Sequence, residues 1–143
     1  MLRNRRARYD YELLETFEAG LALTGSEVKS LMQGRGSIAE AYGRLQNHEV
    51  FLENMHIPPY QEASYNNHDP LRRRKLLLTK QEIREIKRGL ERKGLTLVPT
   101  KLYFKHGWAK LEIALARGKK HHDKRQQEAK KDAQRQIERA LET

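Results

Sequence analysis

Apolar and polar residues alternate from Tyr9 onward. Tyr9, Tyr11, Leu13, Phe17, Ala19, Leu21 and Leu23 fall on odd positions, with Asp10, Glu12, Thr16 and Glu18 between them. A period of two is that of a half-buried strand, so this stretch predicts one long strand, with the odd residues on a single face and Glu15 as a fault in the pattern. Thr24-Gly25-Ser26-Glu27 has the spacing of a capping box, in which the hydroxyl and the carboxylate satisfy each other's backbone donors. A short helix should follow, with Val28, Leu31 and Met32 as its apolar face and Gly34 as its stop. Ile38–Gln46 and Glu49–Ile57 predict a hairpin that turns at Asn47-His48. Pro58-Pro59 removes two backbone donors and ends that ladder, so a loop is expected from Tyr60 to Pro70, with turn chemistry at Asn66-Asn67-His68-Asp69-Pro70.

The run Leu76-Leu77-Leu78 reads as a further strand. Thr79-Lys80-Gln81-Glu82 is a second capping box, opening a helix with Ile83, Ile86 and Leu90 on one side and Lys80, Arg84, Lys87 and Arg88 on the other. Gly94 closes it. Leu95–Phe104 and Trp108–Ala116 predict a second hairpin, turning at His106-Gly107 where glycine supplies a positive φ. About six short strands with flanking helices indicate a mainly β protein, an OB-fold-like closed antiparallel barrel. Closure removes exposed strand edges.

Composition adds a partner class to this fold. The 143 residues suit one domain, residues 1–117, followed by a tail over residues 118–143. A net charge of +10 favours a polyanion, either nucleic acid or an anionic membrane surface. The longest apolar run is only the three leucines at 76–78, so membrane insertion is not expected. There is no cysteine, and Met1-Leu2-Arg3-Asn4-Arg5-Arg6 leads into no hydrophobic signal segment, which predicts a cytoplasmic protein without disulfides.

Beyond Arg117 the texture changes. Lys119, Lys120, Lys124, Arg125, Lys130, Lys131, Arg135 and Arg139 outnumber the acidic residues, while Ala129, Ala133, Ile137, Ala140 and Leu141 recur near the helical period. An alanine stripe buries little area, so the tail is expected to be helical when bound to RNA. The alternative is a solvated tail that adds only solubility.

Two basic runs lie in the domain itself. Arg72 and Arg74, if alternation holds, form a fork about 7 Å apart that could grip successive phosphates, with Lys75 beside them; the other reading is a charged edge that resists aggregation. Arg5 and Arg6 lead into Tyr9 and Tyr11, which could stack bases or belong to the core. His48, His56, His68 and His106 sit in separate turns and strands, and the adjacent His121 and His122 would diverge by about 100° on a helix. No metal site or cofactor is expected. The serines lack a nucleophile elbow and no phosphate-binding glycine loop leads into a helix, so no catalytic residue is assigned and an enzyme is not expected.

Read in order, Asn4-Arg5-Arg6-Ala7, Gly25-Ser26-Glu27-Val28-Lys29-Ser30-Leu31, Asp69-Pro70-Leu71-Arg72-Arg73-Arg74-Lys75-Leu76-Leu77-Leu78, Leu102-Tyr103-Phe104-Lys105 and Gly118-Lys119-Lys120-His121-His122-Asp123-Lys124-Arg125 closely resemble the SsrA-binding protein (small protein B) family. The resemblance implies an OB-fold adaptor that binds the tRNA-like domain of transfer-messenger RNA and carries it to the A site of a stalled bacterial ribosome for trans-translation. By position it puts Tyr11, Glu18, Lys29, Leu77 and Thr79 in or beside the RNA contact surface, which Arg5, Arg6, Arg72, Arg74 and Lys75 would extend. It puts Gly118, Lys119, Lys120 and His122 at the decoding centre, with His122 able to stack on a ribosomal base. Lys124, Arg125, Lys130, Lys131, Arg135 and Arg139 would follow the mRNA channel. The implied partners are transfer-messenger RNA, small-subunit ribosomal RNA of the stalled 70S ribosome and, through the charged RNA, elongation factor Tu; the protein is expected to be a monomer. Met32 stands where the family often has Arg, and Thr79 where Asn or His is common. Composition alone supports a second class equally well, a structural ribosomal or general single-strand RNA-binding OB protein.

Overall fold

A computed structural model describes residues 1–63, 67–119 and 135. Seven strands are present among them: β1 (Leu2–Arg3), β2 (Tyr11–Leu21), β3 (Tyr42–Gln46), β4 (Glu49–Glu53), β5 (Arg74–Leu77), β6 (Thr96–Lys105) and β7 (Trp108–Gly118). Three helices accompany them: α1 (Ala7–Asp10), α2 (Gly25–Met32) and α3 (Lys80–Arg92). The strands pair antiparallel in the order β1-β6-β3-β4-β5-β2-β7, and β6 also pairs with β7, which closes a ring of six. β6 gives one edge to β7 along its length and divides the other between β3, at Gly43↔Leu97, and β1, at Leu2↔Leu102. The barrel expected from the sequence is the fold observed.

Both hairpin turns use two consecutive residues of positive φ: Asn47 at 51° and His48 at 62°, then His106 at 52° and Gly107 at 80°. That geometry matches the twist of the flanking strands. Both capping boxes form. Thr24 and Glu27 close one around the start of α2, and Thr79 and Glu82 close the other around α3. Gly34 at φ 78° and Gly94 at φ 63° follow the two helix ends, as expected.

The long first strand differs from its pattern in two ways. Ala7–Asp10 coils into one helical turn, so the strand begins at Tyr11 rather than Tyr9. The fault marked by Glu15 is a β-bulge: Leu13 pairs with Ala116 and Glu15 with Leu115, leaving Leu14 without an opposite residue. One extra residue turns the following side chains to the other face. Tyr11 and Leu13 consequently pack with Val98, Ala114 and Ala116 in a small separate cluster, while Phe17, Ala19 and Leu21 enter the barrel interior. A second bulge, between Pro99 and Lys101, switches the face of β6 in the same way, so Leu97 and Leu102 both point inward.

Val50, Leu52, Met55, Leu76, Leu97, Leu111 and Ile113 fill the interior, and Ile86 of α3 plugs it with Ile83 and Leu90 against the rim. Helix and strand approach closely there. A Cβ on Gly89 would sit 2.7 Å from Leu115 Cδ1, and one on Gly43 would sit 2.3 Å from Leu97 Cδ2.

Helix α2 buries only part of the face predicted for it: Leu31 is buried and Val28 half-buried, but Met32 is not. Met32 is 69% exposed, and the buried residues are Ser26, Glu27, Ser30 and Leu31. A mostly polar face can be buried only if its hydrogen bonds are met. Here the segment preceding β5 meets them: Ser30 Oγ donates to the Pro58 carbonyl at 2.7 Å, Ser26 Oγ lies 2.8 Å from His68 Nδ1, and His68 Nε2 lies 2.8 Å from the Ile57 carbonyl. The loop expected over 60–70 is therefore tied to α2 by polar contacts. Asn66 of its predicted turn lies outside the described residues.

Candidate nucleic-acid interface

Alternation along β5 does put Arg72 and Arg74 together, but the fork they make faces inward. Arg74 is fully buried, its Nε 2.5 Å from Glu27 Oε2 and its Nη1 donating to the Met55 carbonyl at 2.6 Å. Arg72 approaches the same carboxylate, with Nη2 2.6 Å from Glu27 Oε1, and also donates to the Ala22 carbonyl. Arg74 is thus removed from the expected RNA surface, and Arg72 is held at its margin. The reason was hidden in the capping box: Glu27 is wholly buried and is the counter-ion to both guanidiniums. Burial alone would raise its carboxyl, yet hydrogen bonds from Arg72, the Thr24 backbone and Arg74 bring it down to about 2. Burial likewise lowers the Arg74 guanidinium from its ordinary value, opposed by Glu27.

Lys75 and Leu77 alternate with the inward residues of β5 and are both exposed. Leu77 is opposite Gly20 on β2, and Gly20 is opposite Lys110 on β7. Lys110 in turn faces Tyr103 on β6, and Lys105 faces Trp108. One outer face therefore carries Glu18, Leu77, Tyr103, Lys105, Trp108 and Lys110. Its apolar floor is a cleft between the barrel and α2, lined by Gly20, Leu23, Val28, Leu77, Phe104 and Trp108. Trp108 is 71% exposed, which in a chain this basic suits a stacking platform rather than core.

Glu18 has a specific setting on this face. Its Oε2 accepts the Tyr103 hydroxyl, and its Oε1 lies 3.8 Å from Lys105 Nζ. The hydroxyl holds the carboxyl below the usual range against the opposing effect of burial, with lesser help from Lys105 and Lys110. Tyr103 is pushed up to about 12, chiefly by donating to Glu18.

Lys29 stands on the exposed side of α2, with its ammonium 5.5 Å from the centre of the Tyr60 ring. Thr79 is exposed just after Leu78, but its hydroxyl is engaged with Glu82 in the cap of α3. Lys75 Nζ donates to Glu49 at 3.2 Å in an exposed pair of the kind worth little in water.

Tyr11 and the N-terminal arginines lie elsewhere. Tyr11 pairs with Gly118 at the end of β7, seven residues along β2 from Glu18 and so roughly 20 Å away. Asn4 anchors this end, donating its side-chain amide to the Pro99 carbonyl at 3.0 Å, and Ala7 is buried. Arg5 and Arg6 project outward, Arg6 over the Tyr9 ring at 4.6 Å. Lys119 leaves the barrel beside them: its N–H donates to Asp10 and its ammonium donates to the Arg8 carbonyl at 2.6 Å. The strand thus runs one residue past Arg117, to Gly118.

Of the remaining tail residues named from the sequence, Arg135 is helical and exposed. Lys120, His122, Lys124, Arg125, Lys130, Lys131 and Arg139 lie outside the described residues. The sequence reading passed over Tyr103, Lys105, Trp108 and Lys110 as site residues, although they flank the predicted His106-Gly107 turn, and a tryptophan next to a two-residue turn cannot easily be buried. Among the described residues no three His, Asp or Glu side chains gather as metal ligands, and no helix is long and apolar enough to cross a membrane.

Residues 1–143 match the family model described as SmpB protein. The chain is 55% identical over 134 residues to the SsrA-binding protein of Deinococcus radiodurans, covering 94% of each. It is 52% identical over 139 residues to the SsrA-binding protein of Synechococcus elongatus, covering 96% of this chain and 90% of the relative. Among solved structures, it is similar to a chain described as "tmRNA-SmpB: a journey to the center of the bacterial ribosome", with a TM-score of 0.70, 55% identity and coverage of 84% of this chain and 85% of that one. Barrel, motif order and full-length match agree, and the chain belongs to the SmpB family of SsrA-binding proteins.

Proposed function

We propose that this protein is an RNA-binding adaptor that holds the tRNA-like domain of transfer-messenger RNA on the outer face of its barrel and delivers it to stalled ribosomes for trans-translation. One observation carries the reading: the two basic surfaces stand at opposite ends of β7. Trp108 and Lys110, with Lys105 across the turn, stand where that strand opens, and Gly118, followed by Lys119, closes it ten residues later, roughly 30 Å away. A general single-strand binder needs one continuous groove. An adaptor needs two separated surfaces.

On this reading, Glu18, Lys29, Lys75, Leu77 and Thr79 serve the tRNA-like domain, with Tyr103, Lys105, Trp108 and Lys110 added to them. Arg74 is left out, because its guanidinium is spent on Glu27 and two backbone carbonyls. Arg5, Arg6 and Tyr11 flank the point where the tail departs. Gly118, Lys119, Lys120 and His122 reach the decoding centre, and the basic groups from Lys124 to Arg139 follow the vacant mRNA channel of the stalled 70S ribosome. Basic side chains suit that path because rRNA lines it with phosphate. The protein acts in the cytoplasm as a monomer, a state favoured by a barrel whose closure consumes its strand edges, and meets elongation factor Tu only through the charged RNA.

The test is equilibrium binding of the full chain to the tRNA-like domain at physiological salt, with an elongator tRNA as competitor. The adaptor reading expects a clear preference for the tRNA-like domain. Equal affinity for both RNAs, with a steep salt dependence, would instead identify a general RNA-binding protein.

A further inference from the structure

A carboxylate at the centre of a basic, RNA-facing surface has an unfavourable position unless it is used. Glu18 repels phosphate, and it accepts hydrogen bonds without donating any. Its ionic contact is weak: Lys105 Nζ pairs with Oε1 at 3.8 Å between two half-exposed side chains, the residue directly opposite on β7 is Glu112, and Lys110 stands opposite Gly20, two residues along β2. The group that fixes it is Tyr103, whose hydroxyl donates to Oε2 across 85 residues of sequence. The Tyr103 ring is itself flanked by Lys101, whose ammonium is 5.8 Å from its centre.

We infer that Tyr103 is a positioning residue that aims the Glu18 carboxylate at the N–H donors of an unpaired guanine, so that this pair reads a base while the surrounding lysines hold phosphates. The inference rests on the adaptor reading above and names what that surface selects. Each carboxylate oxygen has two acceptor sites, so Oε2 can keep Tyr103 and still receive a second donor while Oε1 receives another. Guanine presents two such donors side by side, N1–H and N2–H, on the edge that unpaired RNA bases offer to proteins. Adenine and uracil lack that pair. The hydroxyl stays protonated throughout the physiological range, since donation to Glu18 pushes its pKa to about 12. The carboxylate likewise stays ionised.

The experiment compares full-length wild type, Tyr103→Phe, Glu18→Gln and the double variant for binding to the tRNA-like domain, with thermal unfolding as the folding control. Tyr103→Phe keeps the ring and removes only the hydroxyl. The expected loss is about tenfold on the tRNA-like domain, with affinity for elongator tRNA within about twofold and Tm unchanged. In the Glu18→Gln background the same substitution should cost almost nothing further, because both act through one contact. Inosine, which lacks the N2 amino group, should weaken wild type when it replaces the recognised guanine, and leave Glu18→Gln unaffected.

Wild-type affinity in Tyr103→Phe, or losses that multiply in the double variant, would overturn the positioning role while leaving the adaptor reading in place. A 2′-deoxy substitution that weakens binding where inosine does not would move the donor to ribose and overturn the guanine assignment. Absence of any preference for the tRNA-like domain in wild type would remove the adaptor reading, and this inference with it.

Discussion

Arg74 Nε lies 2.5 Å from Glu27 Oε2, and both side chains are completely shielded from solvent. The pair joins α2 to β5 through two residues 47 positions apart in sequence. Arg72 donates to the second oxygen of the same carboxylate, and Thr24 N–H donates to that oxygen at 2.8 Å. One glutamate therefore caps a helix, pairs with two guanidiniums and orients the basic segment that leads into Leu77. Its chemistry sets the position of the proposed RNA-binding face without belonging to it.

Removing Glu27 leaves Arg74 as an uncompensated buried cation. Glu27→Gln should destabilise the protein by about 3 to 5 kcal/mol, measured by urea unfolding at neutral pH. A change below about 1 kcal/mol would mean that water reaches Arg74.

The same carboxylate makes stability acid-sensitive. Its folded pKa, about 2, lies below the ordinary value of 4.5, so the unfolded chain takes up the proton first. The stabilisation is complete above about pH 4.5 and is lost as pH falls toward 2, to a total of about 3 kcal/mol. Chemical unfolding from pH 6 down to pH 2 should show this loss in wild type and a smaller slope in Glu27→Gln.

Glycines separate into those that packing requires and those it does not. Gly43→Ala places a Cβ within 2.3 Å of the buried Leu97 side chain and should cost about 1 to 3 kcal/mol. Gly25 has open space around its Cβ direction, so Gly25→Ala should keep Tm within a few degrees. Reversal of that order in a thermal melt would contradict the packing described at β3 and β6.

Trp108→Ala removes a 71% exposed ring and should leave Tm unchanged while weakening the tRNA-like domain complex about tenfold, the loss typical of one stacked base. An unchanged affinity would take Trp108 out of the interface.

The tail is tested independently of the barrel. Lys119→Glu with Lys120→Glu should abolish tagging on stalled ribosomes and leave binding to the tRNA-like domain within about threefold, as the reader face lies toward the other end of β7. Comparable loss of both activities would refute the division of labour.

Much of this architecture was legible locally. Turn pairs and capping boxes are decided by neighbours within four residues, and they appear where the sequence put them, from Asn47-His48 to Thr79-Glu82; the alternating runs are strands with narrower limits than expected, the first hairpin spanning only Tyr42–Gln46 and Glu49–Glu53 rather than Ile38–Gln46 and Glu49–Ile57. The fault at Glu15 was also visible. What it did to the strand was not, because a bulge is defined by the partner: only the register against Ala116 and Leu115 shows that Tyr11 and Leu13 face away from Phe17.

The sequence by itself determined six of the strands, the two capped helices, the basic character of the surface and the family motifs, since each depends on residue type and short spacing; β1 and the single turn of α1 carry no such pattern. Tertiary structure alone decided that Arg72 and Arg74 are both turned toward Glu27. Alternation says that Arg72 and Arg74 share a face, yet it carries no information about whether that face looks at solvent or at a carboxylate 45 and 47 residues earlier. Tyr103 and Glu18 are joined in the same way, by barrel closure across β6, β7 and β2. Desolvation and pairing act through space, and only the folded chain states which charges are near.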